Sequence, residues 1–420
     1  MEIIPIHHPL NATVRVPGSK SLTNRALLIS ALAIGRTRLT NALFSDDSRY
    51  FAKALQTLGF DVQLDEPNFE MTVTGLGGKI PVQKTELFIG NSGTTARFLS
   101  AFLTLGHGEF IVDGEPRMRE RPIGDLVSAL TQLGANLETA NNCPPVKITA
   151  SGLKGGKTFI AGNISSQFLS ALLMVAPYAK SLVEIEVISE LNSKPYVDMT
   201  LDVMRDFGVE VKRIGYQAFS IPITNYQSPI TFPIESDVSA ASYFFAAPAI
   251  CAGTVSVENI SRQSKQGDIA FLDLLTQMGC RIREFENHIE VTGPQSLIGI
   301  DVNMCDIPDT AQTLAAIAPF ASTPTRIRGI ASARLKETDR IHATCMELAR
   351  LGVHVEEHSD GMTIYPCERF TPATIQTYND HRMAMAFSLI GLRVPGVMIE
   401  NPCCVSKTFP NYFNVLETLR

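Results

Sequence analysis

Apolar runs with helical spacing recur along the chain, and each opens on small, hydroxyl-bearing or ionic residues, near Lys20, Gly93, Ser166, Asp237, Asp309 and His381. The intervals between these starts are 73, 73, 71, 72 and 72 residues. A second pattern keeps the same period. Apolar helix-like stretches leave through glycine into extended segments at Leu58-Gly59, Leu133-Gly134, Phe207-Gly208, Met278-Gly279 and Leu351-Gly352, at intervals of 75, 74, 71 and 73 residues. Two landmarks sharing one period imply a repeated supersecondary unit.

The first repeat shows the unit's content. Residues 12–16 read as a strand, Ser21 to Ala33 as a helix and Thr37 to Asn41 as a second strand. A helix with Asp46 or Asp47 as N-cap then runs to Leu58, where Gly59 stops it. Extended runs at Asp61 to Leu64 and Phe69 to Thr74 complete a β-α-β-α-β-β unit. The sixth unit reaches Arg420 without closing strands, and the extended run Met1 to His7, which belongs to no unit, is placed to supply pairing there.

A chain of 420 residues is too long for one hydrophobic core. Three units per domain would divide it near residue 230, where Ser228-Pro229 and Phe232-Pro233 interrupt the pattern. The first residues follow no signal-peptide plan, and no apolar run approaches the roughly 18 residues of a membrane span, so a cytoplasmic protein without membrane contact is expected. The eight cysteines include no CxxC pair and read as reduced apolar fillers rather than a disulfide frame or metal site.

With 36 Lys plus Arg against 42 Asp plus Glu, and no basic stripe with interleaved aromatics, a nucleic-acid partner is not expected. Yet cations collect where the repeat starts its helices: Lys20 and Arg25, Arg97, Lys336 and Arg340, Arg382, Lys407. An acidic chain with cations at helix N-termini is arranged to hold anions. Pro17-Gly18-Ser19-Lys20-Ser21-Leu22-Thr23-Asn24-Arg25 reads either as an oxyanion cradle or as a serine-capped helix with solvated bases, and it lacks the GxxxxGK[ST] of a nucleotide P-loop. Gly90-Asn91-Ser92-Gly93-Thr94-Thr95 and Asn163-Ile164-Ser165-Ser166-Gln167 could offer amides and hydroxyls to an anion, or could simply cap helices.

Arg117, Arg119 and Arg121 precede another helix, and Arg121, beside Pro122, is the one expected to point inward. Asp309 reads by default as the N-cap of a helix to Phe320. Lys336 and Arg340 stand at i,i+4 on a helix face with Glu337 beside them, which is either a surface ion-pair ladder or, within an anion cleft, a proton donor or acceptor. His381 and Arg382 open an apolar helix.

These segments, with Glu115-Pro116-Arg117-Met118, Ser193-Lys194-Pro195-Tyr196, Lys336-Glu337-Thr338-Asp339-Arg340, Asn379-Asp380-His381-Arg382-Met383 and Ser406-Lys407-Thr408-Phe409-Pro410, together resemble the 5-enolpyruvylshikimate-3-phosphate (EPSP) synthase family, in its order and from end to end. The resemblance implies a two-domain inverse α/β barrel of six β-α-β-α-β-β units, three per domain, with a first lobe of 18–230 and a second of 1–17 plus 231–420 joined by a double hinge near 17 and 230. It also implies transfer of the enolpyruvyl group of phosphoenolpyruvate to the 5-hydroxyl of shikimate 3-phosphate, with release of phosphate, in the shikimate pathway of aromatic amino acid biosynthesis. A monomer acting on these two small molecules, with no cofactor and no metal, is expected.

By the same resemblance, shikimate 3-phosphate is bound by Lys20, Ser21, Arg25, Ser165, Ser166, Gln167, Ser193, Tyr196, Asp309 and Lys336. Phosphoenolpyruvate is bound by Lys20, Asn91, Gly93, Thr94, Arg121, Gln167, Arg340, His381, Arg382 and Lys407, and the catalytic groups are Lys20, Asp309 and Glu337. Three positions depart from the family's pattern: Ser332 where asparagine is usual, Phe98 where many members have proline, and Ser92 where many have alanine. The nearest rival, the UDP-N-acetylglucosamine enolpyruvyl transferases, carries a cysteine before its Arg-Pro, and none lies between Asp113 and Arg121. A non-catalytic anion-binding repeat protein would share the cations but would not need Asp309 and Glu337.

Overall fold

The computed structural model describes residues 1–420. Strand β1 (Leu10–Arg15) is followed by α1 (Lys20–Leu32), β2 (Ile34–Thr40), α2 (Asp46–Thr57), β3 (Val62–Asp65) and β4 (Glu70–Leu76). The next repeat comprises β5 (Lys84–Phe88), α3 (Gly93–Leu103), β6 (His107–Asp113), α4 (Gly124–Gln132), β7 (Asn136–Ala140) and β8 (Cys143–Ser151). The third comprises β9 (Gly156–Ile160), α5 (Ser166–Val175), β10 (Val183–Val187), α6 (Lys194–Asp206), β11 (Lys212–Ile214) and β12 (Ala218–Ile221).

After β13 (Thr231–Pro233) come α7 (Val238–Cys251), β14 (Gly253–Glu258), α8 (Phe271–Gln277), β15 (Arg281–Glu284) and β16 (His288–Thr292). The fifth repeat is β17 (Asp301–Asn303), α9 (Ala311–Ile317), β18 (Thr325–Arg328), α10 (Arg340–Arg350), β19 (Val355–His358) and β20 (Gly361–Ile364). The last is β21 (Thr374–Ile375), α11 (His381–Gly391), β22 (Met398–Ile399) and α12 (Tyr412–Glu417).

Five repeats each make a four-stranded sheet in which a parallel pair is extended by an antiparallel hairpin, as in the order β5-β6-β8-β7, where a helix joins the two parallel strands. One face of each sheet is buried. Along β8, Val146, Ile148 and Ala150 turn inward while Lys147, Thr149 and Ser151 face water, the alternation expected of a half-buried strand. The helices divide by the same logic. α3 and α11 are buried at every position, and α1 is buried from Leu22 to Leu32. A helix apolar all round belongs inside its domain, whereas α2, α6 and α10 bury one side only.

The chain divides into two compact units, residues 18–234 and residues 1–17 with 235–420. Each has its own hydrophobic core. In the first, α3 packs on both α1 and α5, around Phe98, Phe102 and Phe168. In the second, α7, α9 and α11 pack on one another, around Phe244, Phe387 and Tyr412.

Strand pairing corrects two sequence expectations. Residues 12–16 do not start the first repeat's sheet, because β1 pairs in parallel with β14 in the second unit. The vacant edge beside β2 is filled by β13, also in parallel. For that reason the chain leaves the first unit after Ile234 rather than at residue 230. At the incomplete sixth repeat the N-terminal run does supply pairing: Ile3 N donates to Val397 O at 3.0 Å and Ile399 N to Met1 O at 2.7 Å. The five periodic glycines, Gly59, Gly134, Gly208, Gly279 and Gly352, have φ between 83° and 102°, the left-handed exit that stops a helix at low cost.

Candidate active site

In the first unit three inner helices present polar groups at their N-termini. Ser19 caps α1, accepting from Leu22 N at 3.4 Å. Lys20 is the first helical residue, and its ammonium lies 3.8 Å from the buried carboxylate of Asp47. The capping residue of α2 is Ser45, not Asp46 or Asp47 as expected, which leaves Asp47 inside the fold to face Lys20.

Arg25, one turn after Ser21, is buried and fixed by neutral oxygens. Its guanidinium donates to Ser21 O at 3.0 Å, Thr200 Oγ1 at 2.8 Å, Ser170 Oγ at 3.3 Å and Tyr196 O at 3.1 Å. It also lies over the Phe98 ring, 5.4 Å from its centroid. Burial pulls the guanidinium down to about 10, with only a weaker opposing influence from Tyr196. A cation desolvated in this way without a carboxylate at its donors favours an incoming anion.

Around it, Ser165 caps α5 and accepts from Gln167 N at 3.3 Å, while Ser166 is buried in the first turn. Ser193 precedes α6 with φ 56°, a left-handed turn that sets Tyr196 in that helix's first turn. At α3, Arg121 donates to the backbone and side-chain oxygens of Asn91, both at 3.0 Å. Of the three neighbouring arginines it is the buried one. Arg117 pairs with Glu120 and Arg119 with Asp113 on the outside.

Gly93 leaves room for this arrangement, since a Cβ there would lie 2.5 Å from Arg121 Nη2 and 2.8 Å from Arg97 Nη1 and would push the guanidinium groups aside. Thr94 is buried in the same turn. Ser92, one of the departures from the family pattern, is fully buried and bonded to Thr95 Oγ1 at 2.7 Å.

The second unit carries a denser ionic cluster centred on Arg340, the first residue of α10. Its guanidinium donates to Asp380 at 2.7 Å, Glu337 at 2.7 Å and Asp309 at 3.2 Å. Burial alone would lower this group, but the three carboxylates outweigh it and hold the guanidinium above the usual arginine range. Arg382 donates to the other oxygen of Asp309 at 2.7 Å, and Lys407 lies 3.9 Å from Glu337. His381 is buried, with Nδ1 3.5 Å from Asp380. Asp380 also caps α11, accepting from Arg382 N at 2.9 Å.

Three local expectations change here. Asp309 is not an N-cap; it sits in the 3₁₀ turn Pro308–Thr310, which frees its carboxylate for two arginines. Lys336 and Glu337 precede α10, whose cap is Asp339, so Lys336 does not share a helix face with Arg340, although the Glu337–Arg340 pair forms. Lys407 ends the 3₁₀ turn Pro402–Lys407 rather than opening the last helix, which starts at Tyr412. Ser332 is buried in the 3₁₀ turn Ala331–Leu335 before this cluster.

Read from sequence, Asp47 is only a possible helix cap, Asp380 only part of the Asn379-to-Met383 segment, and Asp268 has no role. Asp268 is buried, accepts from Ser239 Oγ, and is pushed up to about 6 by burial, with Asp309 adding to the rise.

Buried guanidinium groups in and beside the first turns of the inner helices, with the ammonium groups of Lys20 and Lys407 and carboxylates next to them, fit an α/β enzyme for multiply charged anions. The comparisons narrow this class. Residues 4–416 match the family model of EPSP synthase, described as 3-phosphoshikimate 1-carboxyvinyltransferase. A 3-phosphoshikimate 1-carboxyvinyltransferase of Nostoc punctiforme is 51% identical over 415 residues, covering 98% of this chain and 97% of the relative. One from a Sulfurovum species is 50% identical over 420 residues, covering 99% and 98%. The solved EPSP synthase of Acinetobacter baumannii superposes with a TM-score of 0.82 at 26% identity, covering 99% of this chain and 97% of that one. The chain belongs to the EPSP synthase family, and its fold is the two-domain inverse α/β barrel.

No helix is long and apolar enough to cross a membrane, and no group of three or more His, Cys, Asp or Glu residues is arranged to hold a metal ion.

Proposed function

We propose that this protein transfers the enolpyruvyl group of phosphoenolpyruvate to the 5-hydroxyl of shikimate 3-phosphate, releasing phosphate, as a cytoplasmic monomer. The observation that carries the reading is Arg25: a buried cation on four neutral oxygens, at the motif position of a family whose curated relatives match over nearly the whole chain. Fixing Arg25 in advance means an anionic substrate meets a donor already oriented and desolvated, which raises its electrostatic value.

In this reading Lys20, Ser21, Arg25, Ser165, Ser166, Gln167, Ser193, Tyr196, Asp309 and Lys336 bind shikimate 3-phosphate, and Lys20, Asn91, Gly93, Thr94, Arg121, Gln167, Arg340, His381, Arg382 and Lys407 bind phosphoenolpyruvate.

The chemistry needs three proton transfers. The 5-hydroxyl loses its proton as its oxygen bonds to C2 of phosphoenolpyruvate, and C3 gains one. The resulting tetrahedral adduct then loses a proton from C3 and phosphate from C2, restoring the double bond. Asp309 and Glu337 are the carboxylates for these transfers. Their present bonds to Arg340, Arg382 and Lys407 keep them oriented, and the same cations stabilise charge on the departing phosphate.

The test is phosphate release with phosphoenolpyruvate and either shikimate 3-phosphate or UDP-N-acetylglucosamine as acceptor. Release with the first alone is expected. Release only with the second, or with neither, would overturn the reading.

A further inference from the structure

The segment between β21 and α11 is under backbone strain at a telling place. Tyr378 and Asn379 both adopt left-handed conformations, with φ 52° and 54°, immediately before Asp380, His381 and Arg382. Asparagine adopts this conformation readily, but the bulky Tyr378 does so at a cost and persists there only where surrounding contacts impose it. Those contacts come from α10, at two points two turns apart. Arg340 holds Asp380 at the near end. Glu347 holds the far end, accepting from Gln376 N at 3.0 Å and from the Tyr378 hydroxyl at 2.8 Å.

The Glu347 side chain is fully buried, and Arg350, one turn on, donates to it at 3.0 Å and so compensates the charge. A buried carboxylate with three donor groups is a fixed anchor rather than a passing contact. Burial, and then Glu347, push the Tyr378 phenol up to about 12, so it remains a donor throughout the neutral range. Neither Glu347 nor Tyr378 belongs to the ionic cluster around Arg340.

We propose that Glu347 and Tyr378 are positioning residues: together they latch the left-handed turn at 378–379 and so fix where His381 and Arg382 stand at the start of α11. Through those two residues the latch acts on the affinity for phosphoenolpyruvate, a consequence that rests on the function proposed above. It leaves the shikimate 3-phosphate groups of the first unit untouched.

Tyr378→Phe removes one bond and keeps the ring. Glu347→Gln weakens all three anchors and is the more severe change. The readouts are amide hydrogen exchange across 376–382, the KM for phosphoenolpyruvate, kcat, and the Kd of shikimate 3-phosphate. In Tyr378→Phe, exchange across this segment should quicken about tenfold, the scale of one hydrogen bond to a charged group. The KM for phosphoenolpyruvate should rise by a similar factor, and by more than the Kd of shikimate 3-phosphate, which the latch reaches only through the bond of Arg382 to Asp309.

Should Glu347→Gln not fold, Tyr378→Phe carries the test alone. Unchanged exchange in Tyr378→Phe overturns the latch. A lowered melting temperature with unchanged KM also overturns it, by reducing the contact to a structural one. A wild-type protein that turns over neither substrate would refute the proposed function instead, and the exchange data would still decide whether the latch exists.

Discussion

Replacing Glu337 with glutamine keeps the side chain's length and one acceptor oxygen but removes its charge and its exchangeable proton. As an exposed ion pair with Arg340 this contact would contribute about 1 kcal/mol or less. The fold changes that estimate, because Glu337 is 8% exposed and accepts from Arg340 at 2.7 Å. Removing one member of a buried pair costs about 3–5 kcal/mol when its partner is left uncompensated. Arg340 retains Asp380 at 2.7 Å and Asp309 at 3.2 Å, so it is not abandoned. The loss should therefore be nearer the roughly 1.5–3 kcal/mol of a hydrogen bond to a charged group.

For a unit of this size that lowers Tm by roughly 3–12 °C. If Glu337 also moves a proton in the reaction, kcat falls by roughly 10² to 10⁴ while the Kd of shikimate 3-phosphate stays nearly constant. Phosphate release, titration calorimetry and scanning calorimetry on one Glu337→Gln preparation measure all three quantities. A Tm loss in the stated range with near-normal kcat would refute the catalytic role and leave Asp309 as the carboxylate to reassign.

Lys20→Met should lower kcat/KM at least about a hundredfold in a folded protein, the scale of one transition-state charge contact; steady-state kinetics beside a melting curve check it. Gly93→Ala should raise the KM for phosphoenolpyruvate and spare the Kd of shikimate 3-phosphate, because the added methyl displaces the Arg121 guanidinium. Asp268, whose carboxyl titrates near 6 in the fold and near 3.9 when unfolded, binds its proton more tightly when folded. Wild-type stability from this group therefore rises as pH falls through about 6 towards 4. Asp268→Asn should accordingly raise Tm relative to wild type at pH 7.5, and that advantage should shrink by pH 5; an advantage independent of pH would contradict the burial argument.

The repeat was legible in the sequence because helix starts and glycine stops are local signals, and both kept their spacing in three dimensions. The family resemblance placed residues 1–17 in the second lobe, but the edges that β1 and β13 join were not legible. Strand pairing is made by backbone groups that every residue carries, and residues 12–16 look the same whichever edge they join. Arg121 could be separated from Arg117 and Arg119 because proline constrains its backbone, whereas the helix positions of Lys336 and Lys407 failed at element boundaries, where a 3₁₀ turn and an α-helix share one pattern. Asp47 read as a possible cap, and Asp268 and Asp380 carried no expected role, because an aspartate near a helix start is ordinarily a cap. Only packing shows that Asp47 faces Lys20, that Asp268 is buried behind Ser239, and that Asp380 both caps α11 and binds Arg340.

The most direct test follows phosphoenolpyruvate labelled with ¹³C at C2 by NMR, together with phosphate, in the presence and absence of shikimate 3-phosphate. With both substrates, the label should move into a vinyl ether on the 5-oxygen, with one phosphate released for each transfer. Phosphate released equally well without shikimate 3-phosphate, or label remaining in phosphoenolpyruvate when both are present, would contradict the proposed reaction.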